Sequence, residues 1–215
     1  MIDLLYNHSS NVYSANGEDG INEYILKHLE LDSGVVLEIG AWDGFFDSNC
    51  ANLWSNGSYN GILIEATSKL NIADLESRYD NINCYRELIS STNTLEDVID
   101  KCKFDVDENN FVLASIDVDG DDLNVARSLG KYKPIILIVE PNGDVITRSN
   151  SNGSTIKELI DFGVDFGYDF MGMSGHVGRH SGNVYLIRND YKDKFDICSK
   201  PWQQRGIILS EGLLY

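Results

Sequence analysis

Val35-Val36-Leu37-Glu38-Ile39-Gly40-Ala41-Trp42-Asp43-Gly44 decides how the rest of the chain is read. A nearly continuous apolar run ends in a carboxylate, two glycines and a tight turn. Such a run suits a strand buried on both faces, as in parallel sheets covered by helices. A turn at the carboxyl end of such a strand is where open α/β sheets bind ligands. Gly40 and Gly44 let backbone and ligand approach closely, and Glu38 and Asp43 supply negative charge suited to an ammonium or sulfonium rather than a pyrophosphate. The dinucleotide pattern G-x-G-x-x-G needs glycine at positions 42 and 45, where Trp42 and Phe45 stand, so a nicotinamide dehydrogenase is disfavoured.

Similar runs recur on either side of amphipathic stretches. Gly61–Glu65 reads as a second strand, Ile82–Arg86 as a weaker third, Phe111–Asp117 as a fourth and Ile135–Glu140 as a fifth. Helical signals fall near 48–56, 68–79, 94–102, 121–130 and 154–163, most with Ser, Thr, Asn or Asp placed to cap the first turn. Upstream, Asn16-Gly17-Glu18-Asp19 reads as an N-cap with acids in the first turn of a helix reaching about Leu29. Tyr168–Met171 and Gly182–Arg188 are joined by a glycine-rich loop without a helix, so the last two strands should pair antiparallel. The expected class is α/β, with a Rossmann-like, mostly parallel sheet and helices on both faces.

A chain of 215 residues fits one domain, read as an N-terminal helical cap at 1–33, a core at 34–190 and a tail at 191–215. Only 3 prolines and no block of like charges argue against disorder. The formal charge of −17 repels nucleic acid and anionic lipid, so neither is an expected partner. No apolar run approaches the roughly 20 residues of a bilayer helix, and Met1–Asn7 lacks the basic flank and apolar core of a signal peptide; the expectation is a cytoplasmic protein without membrane insertion. Cys50, Cys84, Cys102 and Cys198 are scattered without a C-x-x-C pair and read as reduced structural thiols.

Two acidic features follow the strands. Glu65 ends the second strand, twenty-one residues after Gly44, the interval at which a Rossmann-like fold sets an acid against the two hydroxyls of a ribose. Asp117, Asp119, Asp121 and Asp122 follow the fourth strand, and Glu140-Pro141-Asn142 ends the fifth. Neighbouring strands lie about 4.8 Å apart, so Asp117 and Glu140 could converge on one ion or one hydroxyl. Two alternatives stay open: Asp117, Glu140 and Asn142 hold Mg²⁺, Mn²⁺ or Ca²⁺, or Asp121 and Asp122 cap the next helix while Asp117 meets substrate directly. His176, in the glycine-rich loop after the sixth strand, is a second candidate base beside Asp117.

These residues resemble the class I S-adenosylmethionine-dependent methyltransferases, and within them the FkbM-like family. The likeness runs through Tyr13–Gly20, Leu37–Gly44, Ser48-Asn49, Ile64-Glu65 and Ser115–Gly120, with Trp42 replacing the middle glycine of the commonest loop form, E-x-G-x-G-x-G. The resemblance implies a seven-stranded sheet with an antiparallel last strand, S-adenosyl-L-methionine as cofactor, and methyl transfer to a hydroxyl of a glycan, sugar-phosphate or small metabolite. It also implies cofactor roles for Glu38, Gly40, Ala41, Asp43 and Gly44 at the loop. Ser48 and Asn49 would sit at a helix N-terminus, Glu65 and Ala66 at the ribose, and Leu88, within Glu87–Ile89, beside adenine. A noncatalytic nucleotide-binding or scaffold protein of the same fold is the alternative. Metal-assisted hydrolysis by the acidic cluster would leave the loop unexplained. The tail from Lys200 to Leu209 could form a pocket wall or a homodimer contact.

Overall fold

The computed structural model describes residues 3–143, 145–148, 151–175 and 182–206. Seven strands form one sheet: β1 (Gly34–Ile39), β2 (Tyr59–Ile64), β3 (Ile82–Tyr85), β4 (Phe111–Ile116), β5 (Ile136–Val139), β6 (Tyr168–Met173) and β7 (Val184–Arg188). Their order is β3-β2-β1-β4-β5-β7-β6. The first five pair in parallel, and β7 enters antiparallel between β5 and β6. The order steps outward from β1 in both directions, which makes the carboxyl ends of β1 and β4 the switch point where a crevice opens.

Side-chain alternation along β1 separates the two cores. Val35, Leu37 and Ile39 face a cluster shared with α4 (Leu95–Ile99), α5 (Asp122–Arg127) and α6 (Ile156–Phe166). Val36 faces the other side, against α1 (Glu18–Leu29), α2 (Ala51–Trp54) and α3 (Ile72–Arg78). The result is three layers, with helices on both faces of the sheet. Gly61 of β2 makes room for the fully buried Trp54, whose ring a side chain there would meet at 3.1 Å.

Local chemistry sets the helix ends. Thr94 and Thr155 close capping boxes with Asp97 and Glu158, and Asn71 caps α3. α1 differs from expectation: its N-cap is Gly17 at φ 94°, a left-handed position suited to glycine, and the Gly17 N–H donates to Asn11 Oδ1 at 2.6 Å. Its first-turn acids are buried, Glu18 partnered across the fold by Ser174 and Asp19 by the amides of the segment just before the helix. α2 spans four residues where a longer helix was expected, because Ser48 and Asn49 are drawn into hydrogen bonds with Glu38, and Gly57, at φ 83°, turns the chain. No helix among the described residues is long and apolar enough to cross a membrane.

Candidate functional site

A cleft of about 510 Å³ opens at the carboxyl edge of the sheet. Ile39 and Gly40 after β1, Ile64 and Glu65 after β2, and Asp117 and Val118 after β4 line it. Leu88 and Ile89 after β3, and Val125 from α5, add apolar surface.

The loop after β1 uses its own amide donors. Gly40 and Ala41 both donate to the Ile64 carbonyl at 3.0 and 3.1 Å, and Gly44 to the Ala41 carbonyl at 2.7 Å. Phe45 and Phe46 donate to Asp43 Oδ1. A loop whose N–H groups are so engaged offers no amide cradle for phosphate. Gly40 is demanded by geometry: at φ 82°, a Cβ there would lie 1.7 Å from the Asp117 carbonyl oxygen. Gly44, at φ 95°, is buried, and a Cβ there would meet Leu75 at 3.1 Å, so its close neighbour is the core under α3.

Glu65 is the fixed acid of the cleft. Its Oε2 accepts from the Trp42 N–H at 3.0 Å and its Oε1 from the Thr67 N–H at 2.7 Å. Two donors orient the carboxylate and leave each oxygen a further lone pair. The loop conformation and the acid are thereby coupled, since Trp42 reaches Glu65 from φ 48°.

Glu38, Ser48 and Asn49 lie behind the cleft. Glu38 is buried, its Oε2 accepting from Ser48 Oγ at 2.5 Å and its Oε1 from the Asn49 N–H at 2.6 Å. Burial pushes its carboxyl up to about 7 against these hydrogen bonds. Ser48 Oγ in turn accepts from the Cys50 and Ala51 amides, occupying the start of α2, and Asn49 Nδ2 donates to Ser115 Oγ at 2.9 Å. These three residues brace β1, α2 and β4 under the site. Among the other expected cofactor residues, Ala66 and Leu88 line the cleft with Gly40 and Glu65, Ala41 is buried, and Asp43 is an exposed turn residue.

The acidic residues after β4 and β5 do converge. Carboxylate oxygens of Asp117, Asp122 and Glu140 lie within 4.8 Å of one another. Burial, then the Asp122 charge, raises Asp117 to about 6, against a hydrogen bond with Glu140; burial and the Asp117 charge raise Glu140 to about 8. Protonated Glu140 can thus donate to ionised Asp117, one proton serving two acids. Asp122 accepts from the Val118 and Gly120 amides at 2.7 and 2.9 Å, holding the turn before α5. Asn142 turns its amide nitrogen, not its oxygen, to Asp122 and Glu140, at 2.9 and 3.0 Å. Asn142 presents an N–H donor where a metal ligand needs an oxygen, so the carboxylates that converge are Asp117, Asp122 and Glu140 rather than the expected set of Asp117, Glu140 and Asn142.

The N-terminal segment is tied to the same edge. Glu18 Oε1 accepts from Ser174 Oγ at 2.7 Å and Asn183 Nδ2 at 3.0 Å, which fixes α1 to the adjoining ends of β6 and β7. Asn22 donates to the Asn49 carbonyl and accepts from Tyr185, and Asp19 Oδ2 accepts from the amides of Val12, Tyr13 and Ser14. His176 lies outside the described residues. Sequence reasoning missed Trp42, Phe46, Asp47 and Thr67 as cleft residues. The available signal was Trp42 itself, a bulky residue standing where a glycine loop has none.

No family model and no curated protein matches this chain. Solved structures do. Magnesium protoporphyrin IX methyltransferase from Synechocystis PCC 6803, determined with bound SAH, is similar at TM-score 0.51 and 10% identity over 80% of this chain and 81% of its own. Precorrin-6y C5,15-methyltransferase from Geobacter metallireducens GS-15 matches at TM-score 0.44 and 17% identity over 83% and 90%. This fold is shared with methyltransferases. At such identities the likeness is one of fold alone.

Proposed function

We propose that the chain is an S-adenosylmethionine-dependent methyltransferase of the FkbM-like branch that methylates a hydroxyl of a glycan or small metabolite. The observation that carries this reading is the Glu65 carboxylate, held by two backbone amides in a cleft at the switch point of the sheet. An acid so held suits the paired hydroxyls of a ribose. Ile64, Ile89, Val118 and Val125 give the apolar surface a flat base needs. Asp47, Glu65, Glu87, Asp117, Asp119 and Asp121 line the same cleft, with no Lys, Arg or His among the described lining residues, which suits a cationic sulfonium.

When bound, that cofactor supplies an electrophilic methyl group. The chain's own task is to place an acceptor oxygen in line with it and to take up the proton. Asp117 faces the cleft, and its carboxyl, raised to about 6, is ionised at neutral pH while still basic enough to accept a proton. Glu140 steadies that anion by hydrogen bonding. The six carboxylates favour an uncharged acceptor over a sugar-phosphate, because a phosphate would enter a cleft of its own sign. The test is transfer of labelled methyl from S-adenosylmethionine to matched neutral and phosphorylated sugars and polyols. Label on neutral hydroxyls supports the reading; label confined to nitrogen, carbon or sulfur acceptors overturns oxygen transfer.

A further inference from the structure

Four non-glycine residues among those described have left-handed φ: Glu30, Trp42, Asp47 and Asp119. Glu30 ends α1, an ordinary place for that conformation, whereas the other three line the cleft. Trp42 is the costliest of them, since a bulky side chain at φ 48° is unfavourable and glycine is the residue that position favours. Core packing does not explain the choice, because the side chain is 44% exposed. The hydrogen bond to Glu65 does not explain it either, since it comes from the backbone N–H, which glycine would keep. What remains is the ring itself, which lines the cleft and carries the Lys69 ammonium 4.6 Å from its centroid.

We infer that the Trp42 indole is a ligand-binding wall, packing against the nucleoside held at Glu65, with Lys69 steadying the ring. This rests on the methyltransferase reading and adds a residue that the family's glycine loop does not contain. An aromatic wall gives a flat or sugar-like ligand face a stacking surface at little cost in side-chain entropy.

The experiment titrates S-adenosylhomocysteine into the wild-type chain, Trp42→Phe and Trp42→Gly, reading calorimetric affinity, tryptophan emission and ligand-free melting temperature. Wild-type emission should change on saturation; Trp42→Phe, which retains Trp54 and Trp202, should bind within about threefold and lose that change. Trp42→Gly should weaken binding about tenfold or more while melting no lower than wild type, since it loses a stacking surface and relieves the backbone. Wild-type affinity in Trp42→Gly, or an emission change that persists in Trp42→Phe, would overturn the inference with the methyltransferase reading intact. A lower melting temperature in Trp42→Gly would overturn it in favour of a structural ring. No binding by the wild-type chain would overturn both.

Discussion

Asp117 and Gly40 show two different demands on a single residue. In the proposed reaction Asp117 must be ionised to accept a proton, so the rate of methyl transfer should rise with pH through about 6 and then level. Asp117→Asn should lower kcat by about 10²–10⁴ and remove that rise, whereas exhaustive chelation should leave turnover unchanged. A wild-type rate flat from pH 5 to 8, or a rate abolished by chelator, would contradict the assignment. Gly40 is constrained by backbone: Gly40→Ala sets a Cβ against the Asp117 carbonyl and must force β1 and β4 apart. It should cost more stability in urea than Gly44→Ala, whose Cβ meets the flexible ends of Leu75 and Leu63 rather than backbone. Much of this site was legible in the sequence. Glu65, Gly40 and Asp117 meet at one cleft because strand tips in a parallel sheet are predictable from apolar runs. The positions of Glu38, Ser48 and Asn49 were not legible, since whether a carboxylate at a strand end turns outward to a ligand or inward to a serine depends on packing that no local pattern records.

At the level of elements, α6 shows how a short stretch fixes its own limits. Thr155 Oγ1 accepts from the Glu158 N–H at 3.1 Å, Glu158 Oε2 accepts from the Thr155 N–H at 2.9 Å, and Gly167 ends the helix at φ 95°. The Arg148 guanidinium and then the Thr155 amide hold the Glu158 carboxyl down at about 2, so this box stays intact across neutral pH. Thr155→Ala should lower stability by about 1 kcal/mol, with Thr155→Ser restoring most of it. Equal melting temperatures for all three chains would contradict this account of the cap. Five strands were legible as apolar runs, the third only weakly, the last two as the segments flanking a glycine-rich loop, and six helices as the amphipathic stretches between and before them. Helix lengths were less so: the expected 48–56 helix is Ala51–Trp54, because Ser48 and Asn49 hold Glu38 instead. The insertion of β7 between β5 and β6 is a long-range pairing, of which the sequence carried only the antiparallel sense of the last two strands.

Across the whole molecule, buried acids tie stability to pH. Burial raises Glu38 from 4.5 to about 7, and it raises Asp117 and Glu140 in the same direction. Well below pH 3.8 each is protonated whether folded or unfolded. As pH rises, the unfolded chain releases these protons first, so stability falls until the folded values are passed. For Glu38 alone the loss between pH 4.5 and 7 is ~3 kcal/mol. Acids held down, such as Glu158, Asp97 and Asp100, act oppositely and lose their contribution only as pH drops below about 4. The urea midpoint should therefore be higher at pH 5 than at pH 8, and Glu140→Gln should narrow the difference by fixing the neutral form of that side chain. Stability that rises from pH 5 to 8 would contradict the buried-acid account.

The central claim concerns the cleft at the end of β2, and calorimetric titration of S-adenosylhomocysteine into the wild-type chain and Glu65→Ala tests it most directly. Saturable one-site binding is expected for the wild type. Removal of charge-assisted hydrogen bonds worth roughly 1.5–3 kcal/mol should weaken it about ten- to a hundredfold in Glu65→Ala, without loss of fold. Unchanged affinity in that variant would contradict the role of Glu65, and no binding by the wild-type chain would contradict the methyltransferase reading itself.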